Sequence, residues 1–435
     1  MKQSFIWIST VIIFSIIVSN IVTYRIARAK IIRVESKLEQ RFEQKFDTFR
    51  STYLAQKTML LDNYLQDKIA LHQTISETDT TLPQTDEEIA LQRTKAMNTT
   101  ISILEKERDT HGGSWDAWYL SLNTFHEDMR KVLRETPEDV VKMGMFPTQD
   151  GYIYAQKALK VALREDSGNF RQDEKPVISP VASLIHLDRE FKDRGIDFIY
   201  VPIPMNLDVY PEHISENYPK NDIAAPYLRK MFHALLKADV EVIDLMPTYL
   251  DAKRDQPDIN LYLEKDIHWS SDAVQITASY IARRLQRYPF VRATQEKTQF
   301  FRTKDVSEKW YGKYMSKLEN REQYPLRDYI TRRVFMPDGK PYTDSEDPEI
   351  IIMGDSFAYY FHVNYGKNGG IAAHLARFTG VSIKQITTSG MMPIELNRRF
   401  KELLSPSVKL VLYIQDSRQL YYGDGWKLVH FPKDE

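Results

Sequence analysis

Four consecutive apolar residues, Ile350-Ile351-Ile352-Met353, run directly into Gly354-Asp355-Ser356-Phe357. A short apolar run rich in β-branched residues reads as a strand buried on both faces, as in a parallel sheet. Parallel strands need long crossovers, so the surrounding chain must alternate strands with helices. From about residue 145 it does. Residues 198–202, 240–245, 383–386 and 410–414 are further strand-like runs. Residues 227–236, 271–284, 372–378 and 396–404 are helical candidates between them. The alternation predicts an α/β fold of three layers, a mostly parallel sheet with helices on both faces. In such sheets chemistry gathers just beyond the C-terminal ends of the strands. Ser356 stands there.

A serine hydroxyl is a weak nucleophile at neutral pH. It needs a base to take its proton and a carboxylate to orient that base. Asp266-Ile267-His268-Trp269 offers both. Two residues of spacing in extended or turn backbone puts Asp266 and His268 on one side of the chain. The aspartate can then hold one imidazole nitrogen while the other faces Ser356. A metal pair or a surface histidine is the competing reading of His268. No second histidine or carboxylate cluster stands beside it at ligand spacing, so no metal is assigned here, and no cofactor. The chain has no cysteine, which excludes disulfides, thiolate catalysis and cysteine-based metal sites. A net charge of −1 gives no basic field for nucleic acid, and none is expected as a partner.

The N-terminal part has a different character. Residues 5–24 carry no charge, and Asn20 is their one strongly polar amide. As a helix they span roughly 30 Å, the thickness of a bilayer core. The alternative is a cleaved signal peptide ending near Ala27-Arg28-Ala29, but secretory apolar regions are usually only about 7–15 residues. A membrane anchor over residues 1–30 is therefore expected. Arg25, Arg28, Lys30 and Arg33 follow it, and the positive-inside rule read alone would put the rest of the chain in the cytoplasm. Val34, Leu38, Phe42, Phe46, Phe49 and Tyr53 then recur every three or four residues, predicting an amphipathic helical stalk over 31–75. That seam fits either a coiled-coil homodimer or packing on the chain's own globular part. Residues 76–144 form a helical region. It includes a capping box at Thr85-Asp86-Glu87-Glu88, a stop at Gly112-Gly113, and a helix over 117–134.

Gly354-Asp355-Ser356-Phe357 resembles the first sequence block of SGNH, or GDSL-like, hydrolases. Ordinary members of that class place the serine first and the Asp/His string near the C-terminus; here the order is reversed. The reversed order resembles the alginate O-acetyltransferase AlgX/AlgJ family. Asp150-Gly151-Tyr152-Ile153-Tyr154, Val201-Pro202-Ile203-Pro204 followed by Tyr210-Pro211-Glu212, and Val242-Ile243-Asp244-Leu245-Met246-Pro247 also resemble that family's segments. The resemblance covers about residues 145–425, within an SGNH-like domain over 145–435.

The resemblance implies Ser356 as nucleophile, His268 as base and Asp266 as its orienter. Oxyanion donors would be the Ser356 N–H and the backbone at Gly390, although Gly390 also fits an ordinary strand-to-helix turn. The asparagine oxyanion donor of standard SGNH enzymes has no counterpart here. Gln415 and Arg418, just past the last strand, are candidates for binding the acceptor; for Arg418 a surface salt bridge is an equal alternative. Tyr421, Tyr422 and Trp426 are read as packing or as sugar platforms.

The implied activity is transfer of acetyl to hydroxyls of an exported polysaccharide outside the cytoplasm, with a polytopic MBOAT-type membrane partner as acetyl source. A carbohydrate esterase with the same residues and a non-catalytic secretion scaffold are the competing functions.

Overall fold

The computed structural model of the chain describes residues 59, 61, 85–136, 144–148, 152–164, 179–219, 223–310, 327–362, 367–387, 400–421 and 426–431. The expected anchor, and the stalk apart from Met59 and Leu61, lie outside the described residues. Among the described residues no helix is long and apolar enough to cross a membrane. The chain divides into two compact units, Met1–Ile75 and Ser76–Glu435. The second holds the sheet.

The helical region opens as its sequence requires. The Thr85 hydroxyl accepts from the Glu88 N–H at 3.2 Å, and the Glu88 carboxylate accepts from the Thr85 N–H at 3.1 Å. Such a cap stabilises a helix start by about 1 kcal/mol. The helix runs over Asp86–Thr110 and stops before Gly112 and Gly113, both at positive φ. The single helix expected at 117–134 is two, Trp115–Ser121 and Asn123–Glu135. The break falls at Leu122, whose N–H turns back to the Tyr119 carbonyl. There the chain bends so that Trp118, Phe125 and Met129 can all be buried.

A short antiparallel pair, β1 (Met145–Pro147) and β2 (Ile153–Ala155), leads into the helix Gln156–Leu163. The main sheet then forms from β3 (Asp197–Ile203), β4 (Glu241–Val242), β7 (Ile350–Gly354), β8 (Ile383–Thr387) and β9 (Leu410–Asp416), in the order β4-β3-β9-β7-β8. All its pairings are parallel. Strand β4 is shorter than the run 240–245 suggests. The Asp244 carboxylate accepts from the Met246 N–H at 3.1 Å and turns the chain into the helix Met246–Asp255.

One side-chain set of the sheet (Phe198, Tyr200, Ile351, Met353, Val411, Tyr413) packs in one core with the helices Gln156–Leu163, Pro180–Lys192 and Pro226–Lys237. The alternate set, including Ile199, Val201, Ile352, Leu412 and Ile414, is equally buried and faces the other way. The helix Ile371–Thr379 lies against β8, and Ser271–Leu285 lies against that helix. Met97, Ile101, Leu104, Phe125 and Met129 of the helical region belong to the first core.

Two buried arginines fasten the β4 edge. Arg229 grips Glu107 through Nε and Nη2 at 2.7–3.0 Å and Asp244 through Nη1 at 2.6 Å. Arg287 holds Glu241 in a two-point pair at 2.8 and 2.5 Å. Removing one partner of such a pair costs about 3–5 kcal/mol, because a charge is left buried alone.

A second antiparallel pair, β5 (Arg302–Trp310) and β6 (Arg327–Phe335), stands apart from the main sheet. Its sequence gave no expectation of strands, since Arg302–Trp310 is mostly charged or polar and largely exposed.

Candidate active site

The base and its orienter sit on a small closed loop. Residues Tyr262 and Trp269 bridge across it. The Leu263 N–H donates to the His268 carbonyl at 3.0 Å, and the Ser270 N–H to Leu261 at 2.9 Å. Tyr262 anchors the loop by donating its hydroxyl to the Pro204 carbonyl beyond β3. Immediately afterwards the Ser270 hydroxyl caps the helix Ser271–Leu285 through the Ala273 N–H. Asp266 and His268 thus face inward, Trp269 is fully buried against Phe357, and the next residue, Ser270, caps a helix.

The nucleophile candidate comes from the opposite direction. Strand β7 ends at Gly354, Asp355 caps the short helix Ser356–Tyr359, and Ser356 is its first residue. Gly354 has no positive φ, so no left-handed backbone calls for glycine there. A Cβ there would be driven into the Ile414 carbonyl oxygen of β9 and would stand 2.8 Å from Ala358 Cβ. The glycine is needed because β7 and β9 close up beneath the serine.

The three predicted residues meet. His268 Nε2 lies 3.0 Å from Ser356 Oγ, and His268 Nδ1 lies 2.5 Å from Asp266 Oδ1. That same oxygen accepts the His268 backbone N–H at 3.1 Å. The carboxylate therefore fixes both the ring and its tautomer, with the proton on Nδ1 and the Nε2 lone pair toward serine. Asp266 is 0 % and His268 1 % exposed, whereas Ser356 is part-exposed. Only the hydroxyl end of the relay reaches the surface.

Tyr360 was not anticipated. Its hydroxyl donates to Asp266 Oδ2 at 3.2 Å, and its ring stacks on the imidazole with centroids 4.2 Å apart and planes 21° apart. The available signal was spacing: position i+4 from Ser356 shares a helix face with it.

Asp355 has a structural part. Its Oδ1 accepts from the Phe357 N–H and its Oδ2 from the Asp416 N–H, both at 3.0 Å, joining the serine turn to the end of β9. Burial, and then the neighbouring Asp416 carboxylate, push its pKa up.

The remaining candidates divide. Gln415 is fully buried in β9, where its Oε1 accepts the Tyr200 hydroxyl at 3.5 Å, so its amide belongs to the core rather than to an open pocket. Arg418 is paired with Asp416, its Nε donating to Oδ2 at 2.6 Å. That salt bridge is mostly buried rather than at the surface. Tyr421 and Trp426 are buried, the Trp426 indole donates to the Gln419 carbonyl at 2.8 Å, and Tyr422 lies outside the described residues. Gly390 lies outside the described residues. A cavity of about 760 Å³, lined by Trp118, Glu212, Tyr218, Met246 and Lys253 among others, lies among the segments that follow β3 and β4. Neither Ser356 nor His268 lines it.

A parallel α/β sheet with a serine directly after a strand, faced by a histidine–aspartate loop, is an arrangement of the serine-hydrolase-like α/β class. The family model for the "SGNH hydrolase-like domain, acetyltransferase AlgX" matches residues 163–396, and the chain belongs to that AlgX/AlgJ-like family. The "probable alginate O-acetylase AlgJ" of Pseudomonas fluorescens is 26% identical over 144 residues, covering 32% of this chain and 33% of that protein. The match thus spans about a third of that relative's length. Among solved structures, the O-acetyltransferase domain of Pseudomonas putida AlgJ is similar at 16% identity and a TM-score of 0.46, over 64% of this chain and 92% of that one. Pseudomonas aeruginosa AlgX is similar at 17% identity and a TM-score of 0.43, over 63% of each chain.

Proposed function

We propose that this protein is a membrane-anchored O-acetyltransferase that carries acetyl on Ser356 and delivers it to hydroxyls of an exported polysaccharide. The observation that carries this reading is the 3.0 Å contact between His268 Nε2 and Ser356 Oγ, backed by Asp266. Ser356 Oγ attacks the carbonyl carbon of an activated acetyl ester as its proton passes to Nε2. The tetrahedral oxyanion collapses, and the leaving oxygen departs with that proton. An acceptor hydroxyl then gives its proton to Nε2 and attacks the acetyl-serine. Collapse returns the proton to Ser356 Oγ and frees the acetylated sugar. The Ser356 N–H, at the start of a helix, supports the oxyanion in both steps.

The uncharged stretch 5–24 supports an anchor that holds the catalytic unit outside the cytoplasm, where an exported polymer would be found. An MBOAT-type membrane protein supplies the acetyl group there.

The test uses the full-length protein in detergent, with an activated acetyl ester and a panel of oligosaccharides, beside Ser356→Ala. Sugar mass and free acetate are followed together. Serine-dependent mass gain on a sugar is the expected result. Serine-dependent acetate release without any sugar product would make the protein an esterase instead. Identical behaviour of the two proteins would defeat the catalytic reading.

A further inference from the structure

Away from the serine, the segment 426–431 is strapped along the helix Pro180–Lys192. The Ser183 hydroxyl donates to the Lys427 carbonyl at 2.7 Å, Arg194 Nη2 to the Phe431 carbonyl at 3.1 Å, and the Phe191 and Phe431 rings meet at 5.1 Å. Along this seam His186, Glu190 and His430 form the one group of three metal-ligating side chains found among the described residues. We propose that these three side chains, with the Val429 carbonyl, bind a divalent transition cation of zinc's class that clasps the segment to the helix.

The argument is geometric. His186 and Glu190 are four residues apart on one helix face, the spacing that lets two side chains share an ion. The Glu190 carboxylate is already oriented: Oε2 accepts from the Phe431 N–H and from Arg194, each at 3.1 Å. That leaves Oε1 turned toward both rings, 3.4 Å from His430 Nδ1 and 3.7 Å from His186 Nε2. Ligand atoms about 2.1 Å from a common ion lie about 3.0 Å apart at right angles and about 3.4 Å apart in a tetrahedron. The Val429 carbonyl is 2.8 Å from His186 Nε2.

Without an ion, a proton on Nε2 bridges that pair. A cation takes the proton's place, with the proton held on Nδ1, and both atoms become ligands. Two imidazoles, a carboxylate and a carbonyl suit zinc or its neighbours better than calcium or magnesium. Arg194 offsets part of the carboxylate charge, so micromolar rather than nanomolar affinity is expected. Its hydrogen bond to Oε2 also holds the ligand in place, as outer partners do in metal sites.

The experiment uses tag-free, chelator-treated, full-length protein in detergent. Co2+ binding is followed by its visible absorption bands and Zn2+ binding by competition with a chromophoric chelator, and hydrogen exchange of residues 426–431 is measured with and without Zn2+. One saturable site is expected, with slower exchange in that segment on loading. His430→Ala should weaken binding at least about tenfold, and Glu190→Gln likewise. His430 is largely exposed, so its substitution leaves the fold intact, which unchanged metal-free unfolding would verify. The absence of saturable binding below about 1 mM, or equal affinity in His430→Ala, would overturn the assignment.

Discussion

Replacing Gly354 by alanine tests how the sheet delivers its serine. The added Cβ would collide with the Ile414 carbonyl oxygen, stand 2.8 Å from Ala358 Cβ and lie 3.3 Å from the Ile414 carbonyl carbon. Carbon pairs rest at about 3.5–4.0 Å, so the end of β7 must move away from β9 by about 1 Å. Neither obstacle is a flexible side chain. Overpacking of this kind costs about 1–3 kcal/mol. Loosening the parallel Gly354–Ile414 register adds to that, for a total of about 2–4 kcal/mol.

The same shift carries Ser356 Oγ from 3.0 Å to about 4 Å from Nε2, beyond a hydrogen bond. A misplacement of that size costs about 100-fold in rate. Thermal unfolding and the burst of leaving group from an activated acetyl ester read the two effects separately. Adding Ala358→Gly should restore little, because the carbonyl collision persists. Wild-type unfolding and burst rate in Gly354→Ala would refute the close-approach argument. Lost stability with an undiminished burst would refute the link between the strand end and the serine.

Tyr360→Phe keeps the ring on His268 and removes one hydrogen bond to Asp266, so kcat should fall about 3–10-fold with KM unchanged. Tyr360→Leu should cost more and also move the acidic limb of the pH–rate profile, whereas a residue of purely structural importance would leave that limb in place. His126 is buried, and neither ring nitrogen has a hydrogen-bond partner. Burial, and then Arg130, lower its pKa from 6.5 to about 4. The unfolded chain therefore binds a proton that the fold refuses. Stability from this group is complete above about pH 6.5 and is lost as pH falls toward 4, by about 2–3 kcal/mol. Denaturant unfolding at several pH values should show this slope, and His126→Leu should remove one proton's worth of it. An unchanged slope would mean that the ring is charged in the fold. His374, also buried with a lowered pKa, supplies a further share.

The sheet was legible because its strands are apolar runs closed by turns. Residues 350–353, 383–386 and 410–414 are each strands, extended by one or two residues where the ladder continues through Gly354, Thr387 and Asp416. The pairing of Asp266, His268 and Ser356 was legible because short motifs fix both local backbone and chemistry. What escaped depends on distant partners. Nothing around Gly354 announces that the Ile414 carbonyl lies against it, sixty residues later in the chain. Gln415 looked like a pocket residue because it follows an apolar run, but β9 continues through it and buries it. The β5–β6 pair was missed because charged residues on an exposed ladder carry little β signal.

Strand β9 lies at the centre of the sheet, between β3 and β7, yet is the last of its strands to be made. Before it inserts, β3–β4 and β7–β8 have no shared edge. The Asp355 side chain also lacks the Asp416 N–H that ties down the serine turn. The fold is thus closed by a keystone. A ribosome product that stops short of residue 410 would carry every member of the serine–histidine–aspartate set and still have no frame to align them. Alignment of the three side chains would come with β9, all at once rather than strand by strand.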